Sequence, residues 1–272
     1  MKKVNFILAA MVFCQSLYSQ ISSIIPSSNA IALTSVADSH AWTAFNNPAM
    51  LGYVDTPEFA LLYENRYFLN ELSTKSVQFA LPCELLNTGI SFSYFGYSIY
   101  HEMLTGINFA RNFSDKFGLG VQFDYYTAYF SASNSYRGAL FPQIGLTIRL
   151  NSAFNLGFHT FNPFQTNINT EYVIKRLPSI FSIGTEYFFS NEFVWRTQAD
   201  KEISSNYRIA MGFEYQLVQN INLKFGAYDS EYLVPCLGFG CKTGAFLLDL
   251  NCEIHPLLGI TPFAEIKYRF GK

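Results

Sequence analysis

The chain has 272 residues, half of them hydrophobic, 18% aromatic and only 14% charged, with a formal net charge of −2. A soluble domain carries roughly 25% charged residues, so this chain is short of the charge that a water-facing surface uses. Balanced signs exclude a basic field for nucleic acid, and beyond the N-terminus no stretch offers the roughly 18 uninterrupted apolar residues of a spanning helix.

The N-terminus reads as an export signal. Lys2 and Lys3 precede the apolar stretch from Val4 to Phe13, and Leu17-Tyr18-Ser19 before Gln20 has the form of a small-residue cleavage site. Residues 1–19 are therefore expected to be a cleaved signal peptide, leaving a mature chain that faces an oxidising space. Residues 20–56 follow, rich in Ser, Ala and Asn, low in charge and without a period of two.

Residues 57–272 alternate apolar and polar side chains in short segments separated by tight turns. The predicted strands are 57–67, 73–82, 87–96, 101–112, 116–130, 136–150, 153–160, 177–190, 192–201, 205–217, 220–230, 232–242, 244–255 and 258–270. A strand points successive side chains to opposite faces, so each segment has an apolar, often aromatic face and a polar one. In the last segment Ile260, Pro262, Ala264, Ile266, Tyr268 and Phe270 share the first face, and Thr261, Glu265, Lys267 and Arg269 the second. The pattern predicts an all-β fold: a transmembrane antiparallel β-barrel of about 14 strands, lipid outside, with residues 20–56 as a plug in the lumen. Ile266, Tyr268 and Phe270 are the expected C-terminal insertion signal, offered to the barrel assembly machinery.

Turns after even-numbered strands are short and built from Asn, Ser, Asp and Gly, as in Asn151-Ser152 and Ser190-Asn191. They belong on the periplasmic side, and the longest interruption, 161–176, belongs outside. The outer loops are expected to be too small for a lid, and Asn162-Pro163 reads as a turn.

The inward faces carry Gly118, Gly120, Gln122 and Asp124 on one strand and Arg208, Ala210, Gly212 and Glu214 on another; Gly106, Gly145, Gly157 and Gly226 also point inward. Glycine within a strand marks a bend or close approach by another backbone, here the N-terminal segment. Inward charges are of both signs; Asp124, Arg149, Arg208, Glu214, Asp249, Glu265 and Arg269 are the candidates for a lumen charge network. An ion-selective pore uses rings of one sign, whereas mixed charges around a plug pair with one another.

Just before the first strand stands Asn47-Pro48-Ala49. Proline fixes φ and holds Asn47 extended, which steers the chain from the plug into the wall, while the Asn side chain can bond nearby backbone. Upstream lie Ser27-Ser28-Asn29-Ala30-Ile31-Ala32-Leu33, Val36-Ala37-Asp38 and Ala41-Trp42-Thr43-Ala44-Phe45-Asn46, and Leu51 follows. This segment resembles the N-terminal hatch of the FadL-like long-chain fatty acid transporter barrels, and more closely their type IX secretion-associated relatives, the PorV/PorQ family. It departs from that pattern at Thr34-Ser35, where the family has a glycine pair.

The resemblance implies a cell outer membrane of Gram-negative type. It implies a membrane-embedded subunit or scaffold of a protein secretion or assembly complex, partnered by other outer-membrane or periplasmic proteins. The alternative is a FadL-like passive transporter for hydrophobic small molecules. That reading needs an apolar ligand pocket between plug and wall, lined by Phe141, Phe181, Tyr187 and Phe189, and a sideways opening at Pro142 or Pro235.

Chemistry-bearing residues are sparse. The histidines His40, His101, His159 and His255 are dispersed and support no Ser/His/Asp arrangement, so no catalytic residue is expected and the chain reads as a non-enzyme. His159 and His255 both read as inward near the outer rim. Cys83, Cys236, Cys241 and Cys252 match no zinc spacing, and neither metal nor cofactor is expected. Cys236 and Cys241 point to opposite faces and should not pair with each other; a cross-strand pair with Cys252 stays open.

Overall fold

The computed structural model describes residues 34–38, 44–114, 116–131, 134–169, 174–229 and 231–271. The expected signal peptide and residues 20–33 and 39–43 of the expected plug lie outside the described residues.

The strands are β1 (Glu58–Asn65), β2 (Ser73–Leu81), β3 (Asn87–Gly96), β4 (Tyr100–Phe113), β5 (Phe117–Phe130), β6 (Ser135–Arg149), β7 (Phe154–Phe161), β8 (Asn167–Asn169), β9 (Ile174–Arg176), β10 (Ile180–Phe188), β11 (Phe193–Glu202), β12 (Tyr207–Val218), β13 (Ile221–Asp229), β14 (Leu233–Thr243), β15 (Phe246–His255) and β16 (Gly259–Arg269). All except β8 and β9 close into one antiparallel barrel of fourteen strands, with β16 returning to β1, which is the expected fold. β8 and β9 form a separate two-stranded hairpin in the loop between β7 and β10. Among the described residues no helix is long and apolar enough to cross a membrane.

Alternation in the sequence becomes alternation in space. On β5, Phe117, Leu119, Phe123 and Tyr125 are exposed on the outer wall while Gly118, Gly120, Gln122 and Asp124 are buried inside. On β12, Tyr207, Ile209, Met211 and Tyr215 face out, and Arg208 and Ala210 face in. A wall of exposed Phe, Leu and Ile around the whole cylinder is stable only against lipid, and closure gives every barrel strand a neighbour on both sides. Ile266 and Phe270 of the expected insertion signal are exposed on this outer face, with Tyr268 half-buried between them.

The short-turn end is ringed by aromatics. Tyr187, Phe189 and Phe193 pack in sequence, and Phe246, Tyr268 and Phe270 form a second run. At the opposite end His101 stacks between Tyr94 and Tyr129, at 5.3 and 4.8 Å. Two such belts are the mark of the two membrane interfaces.

Short turns use the chemistry the sequence offers. Asn151 accepts a hydrogen bond from the Ala153 amide at 2.8 Å, Ser190 accepts from the amides of Glu192 and Phe193, and Gly244 takes a φ of +57° that other residues resist. With these turns in the periplasm, the long loops lie outside.

Pro142 and Pro235 stand where a ladder ends. Each stays in register with one neighbour, Phe123 and Ala227 respectively. On its other side each lies just past the ladder, which starts at Gln143 towards β7 and at Cys236 towards β15. A missing N–H is least costly at such a boundary. The one register shift within the described ladders falls between Gln216 and Val218, beside the β12–β13 turn.

Candidate functional site

The site is the lumen, and its floor is the described part of the N-terminal segment. Pro48–Tyr53 forms a short 3-10 turn with Asn47 as its cap, in extended geometry at φ −99° and ψ 113°. The Asn47 carbonyl oxygen accepts from the Ala49 amide at 3.0 Å. Its amide group donates to the Val36 carbonyl at 2.7 Å and to the Leu146 carbonyl of β6 at 3.3 Å. Asn47 therefore ties the turn both to its own segment and to the wall. Pro48 and Ala49 are buried beside it.

Irregular chain inside a barrel has backbone groups that must be bonded by something other than a ladder. The wall supplies Asn and Gln, whose amides both donate and accept. Gln78 accepts from the Ala44 amide at 2.9 Å and Gln198 from the Val36 amide at 3.1 Å. Asn87 donates to the carbonyls of Leu51 and Val54, both at 2.9 Å, and Asn108 to that of Pro48 at 3.3 Å.

Close approach by the N-terminal segment explains three inward glycines, the first being Gly145, where a methyl group would meet the Asn47 side chain and the Ala49 amide. A methyl group at Gly120 would collide with the Pro48–Ala49 peptide, and one at Gly157 with the backbone of Val36. Gly106, by contrast, makes room for the side chains of Ser91, Gln122 and Asp124.

The expected charge network resolves into local groups. Arg196, only 2% exposed, is the hub: it donates to Glu186 at 2.9 Å, to Glu214 at 2.9 Å, and to Asp38 of the N-terminal segment at 3.2 Å. Asp249 pairs with Lys224, and Arg208 with Asp200. Glu265 lies 3.5 Å from Lys267, and Arg269 bonds Glu58 at 2.6 Å across the β1–β16 seam. Asp124 is held by amides, accepting from Gln122 at 2.9 Å and Gln143 at 2.7 Å. Arg149 lies over the Tyr53 ring, 3.9 Å from its centroid. Of the seven, Glu214, Asp249, Glu265 and Arg269 line one cavity together with Arg196, Lys224 and Lys267, while Asp124, Arg149 and Arg208 find their partners elsewhere. Glu186, Asp38 and Glu58, which complete these groups, were not among the expected residues.

Between Arg196 and the β13–β16 wall a polar cavity of about 320 Å3 remains, bordered by Glu214, Lys224, Asp249, Glu265 and Lys267. Gln219, Asn220 and Lys242 of the short-turn end also line it, so it lies on the periplasmic side.

The outer part of the lumen holds a buried apolar cluster beside the buried charges of Glu64, Glu102, Asp200 and Arg208. Leu62, Phe95, Leu104, Tyr126, Phe141, Phe161, Ile180 and Phe263 form one buried apolar cluster, which Phe45 of the N-terminal segment joins. Phe141 and Phe161 meet edge to face at 4.8 Å. Of the expected pocket residues only Phe141 is inside. Phe181, Tyr187 and Phe189 are exposed on the lipid side, because Ser182, Gly184 and Glu186 take the inward positions of the same strand.

The loop after β7 roofs this cluster, contrary to the expectation that no outer loop could act as a lid. Ile168 of β8 and Leu177 are both buried in it. Asn162, expected to mark a simple turn, is fully buried at a φ of +49°. It accepts from the Thr166 amide at 2.9 Å and donates to the carbonyl of Pro178 at 3.2 Å, so it joins the two ends of the loop. Asparagine tolerates this backbone region better than most residues.

His159 bonds Gln143 at 2.8 Å inside the wall, whereas His255 sits at the rim between the rings of Tyr67 and Tyr232. His40 lies outside the described residues, and among the described residues no three His, Cys, Asp or Glu side chains gather to hold a metal ion. Cys83, Cys236, Cys241 and Cys252 form no disulfide among the described residues; Cys252 is in register with Leu237 and Cys241 with Leu248, which leaves no cross-strand pair.

No protein-family profile matches the sequence, and no curated protein matches it. Solved structures do resemble the fold. The toluene transporter TodX of Pseudomonas putida superposes with a TM-score of 0.61 at 9% identity, over 88% of this chain and 96% of that one. A FadL homologue of Pseudomonas aeruginosa gives 0.57 at 11% identity, over 84% and 93%. The outer membrane protein Omp33 of Acinetobacter baumannii gives 0.51 at 10% identity, over 79% and 98%. The fold is thus that of FadL-like outer-membrane barrels; the PorV/PorQ part of the expected resemblance receives no support from these neighbours.

Proposed function

We propose that this chain is a passive outer-membrane channel for hydrophobic small molecules and performs no catalysis. The observation that carries the reading is the buried apolar cluster in the outer part of the lumen. The cluster, roofed by Ile168 and Leu177, stands above the Asn47-Pro48-Ala49 turn. A channel for polar solutes has a wet, polar lumen throughout. Apolar side chains that part around an apolar solute instead offer it a resting place away from water, with a driving force of roughly 25 cal/mol per Å2 of surface buried. Similarity of fold to TodX and to the FadL homologue supports this reading over a secretion scaffold.

The test is uptake of a fluorescent apolar compound by intact cells with a lipopolysaccharide outer leaflet, with and without the chain. Expression should raise uptake, and Phe141→Arg should lower it while the barrel still inserts. No uptake above the empty host, together with stable co-purification of large proteins in mild detergent, would replace the channel by the scaffold.

A further inference from the structure

Strand register sets two rows of side chains across the outer wall over β6, β7, β10, β11 and β12. One row is Ile144, Thr160, Phe181, Lys201 and Tyr207; the next, one step towards the periplasm, is Leu146, Phe158, Ile183, Ala199 and Ile209. Thr160 and Ala199 are short among large neighbours, so the rows dip into a groove of about 430 Å3 with an almost wholly apolar lining. Thr185 and Thr197, whose hydroxyls bond each other at 2.7 Å, continue the line of short side chains to Tyr187 and Trp195 in the periplasmic belt. From Lys201 to Trp195 the strand rises about 20 Å, a length an acyl chain can follow.

Lys201 closes the outer end. Its ammonium donates to the Ser205 carbonyl at 2.5 Å and lies 4.6 Å from the centroid of the Tyr207 ring. Neither of these two contacts is with an acid, and Glu202, next in the chain, is the carboxylate that feels the Lys201 charge. An ammonium has three donors, so two are left for an anionic oxygen. A lysine on the lipid face is tolerated where its stem lies along apolar wall and its head reaches the interface. The orientation of the turns makes that interface the outer leaflet.

We propose that this groove is a lipid-binding site that holds one acyl chain of lipid A, the anionic lipid of the outer leaflet, with a lipid A phosphate on Lys201. Shape fixes the chain and charge fixes the head. The site depends on the membrane orientation and not on what the lumen transports.

The experiment is native mass spectrometry of the detergent-purified chain with three probes: lipid A bearing both phosphates, the same lipid dephosphorylated, and phosphatidylglycerol. Wild type should prefer the phosphorylated lipid A. Lys201→Gln should weaken that lipid about fivefold, the contribution of one basic residue near an anionic surface, and leave the dephosphorylated form unchanged. Ala199→Trp, which fills the groove, should weaken both forms. Heat-dependent gel mobility verifies folding, and Thr160→Phe replaces Ala199→Trp if that variant fails to fold. An unchanged phosphate preference in Lys201→Gln, wild-type retention by a filled groove, or equal binding of phosphatidylglycerol would each overturn the proposal.

Discussion

Replacing Asn47 by alanine should release the floor of the lumen without loosening the wall. The side chain makes three bonds, to the Ala49 amide and to the carbonyls of Val36 and Leu146, at a residue with 0% exposure. At about 1 kcal/mol net for each bond the loss is about 3 kcal/mol, with more added for the buried backbone groups left unbonded. Each 1.4 kcal/mol is tenfold, so the ratio of docked to released turn should fall by roughly a hundredfold. Hydrogen exchange read by mass spectrometry reports this directly, since local opening sets the exchange of amides that global unfolding does not reach. A peptide covering Ala44–Val54 should lose about two decades of protection, whereas peptides from β4 and β5 keep theirs. Equal loss in wall and turn would mean that Asn47 holds the barrel together and not its floor. No loss at all would refute the idea that these bonds dock the turn.

Two further perturbations separate the faces of the wall and the hub inside it. Phe213→Arg, on the lipid side and stacked on Phe225 at 5.3 Å, should cost roughly 2–4 kcal/mol near the midplane and be seen as failed insertion into vesicles. Gln216→Arg, which faces the periplasmic cavity, should insert normally; equal effects at the two positions would refute the facing of β12. Arg196→Met leaves Glu186 and Asp38 with a buried charge formerly matched by the guanidinium. Breaking such a group costs about 3–5 kcal/mol, measured as a drop in unfolding free energy in lipid vesicles, and a change below 1 kcal/mol would deny Arg196 its role as hub.

Most of the wall was legible because lipid and lumen are written into alternate residues. Where alternation misled, a chemical prejudice was at work: Phe181, Tyr187 and Phe189 look like pocket aromatics until Ser182, Gly184 and Glu186 are seen to need the inside. Pairing was harder, since it depends on register. Glu58 meets Arg269 because the first and last strands close on each other, a fact no local window contains. Asp38 reaches Arg196 from a segment without periodicity. The hairpin β8–β9 escaped notice because three-residue strands carry too little pattern to distinguish from loop.

Asn47-Pro48 and Asn162-Pro163 turn out to do parallel jobs, one under the apolar cluster and one over it. Each asparagine uses its amide to bond backbone on two sides of a break in the regular structure. If the lumen is closed by these two devices in series, opening either alone leaves the other as the barrier. Asn162→Ala should loosen the roof, by the lost bonds and by placing alanine at a φ of +49°. In planar bilayers, Asn47→Ala and Asn162→Ala should each conduct ions little more than wild type, and the double variant should conduct far more than their sum. Stability should behave differently: with no shared partner, the two losses should add within about 0.5 kcal/mol. A single variant that conducts as well as the double one would show one gate instead of two, and would leave the other asparagine a structural part of its loop.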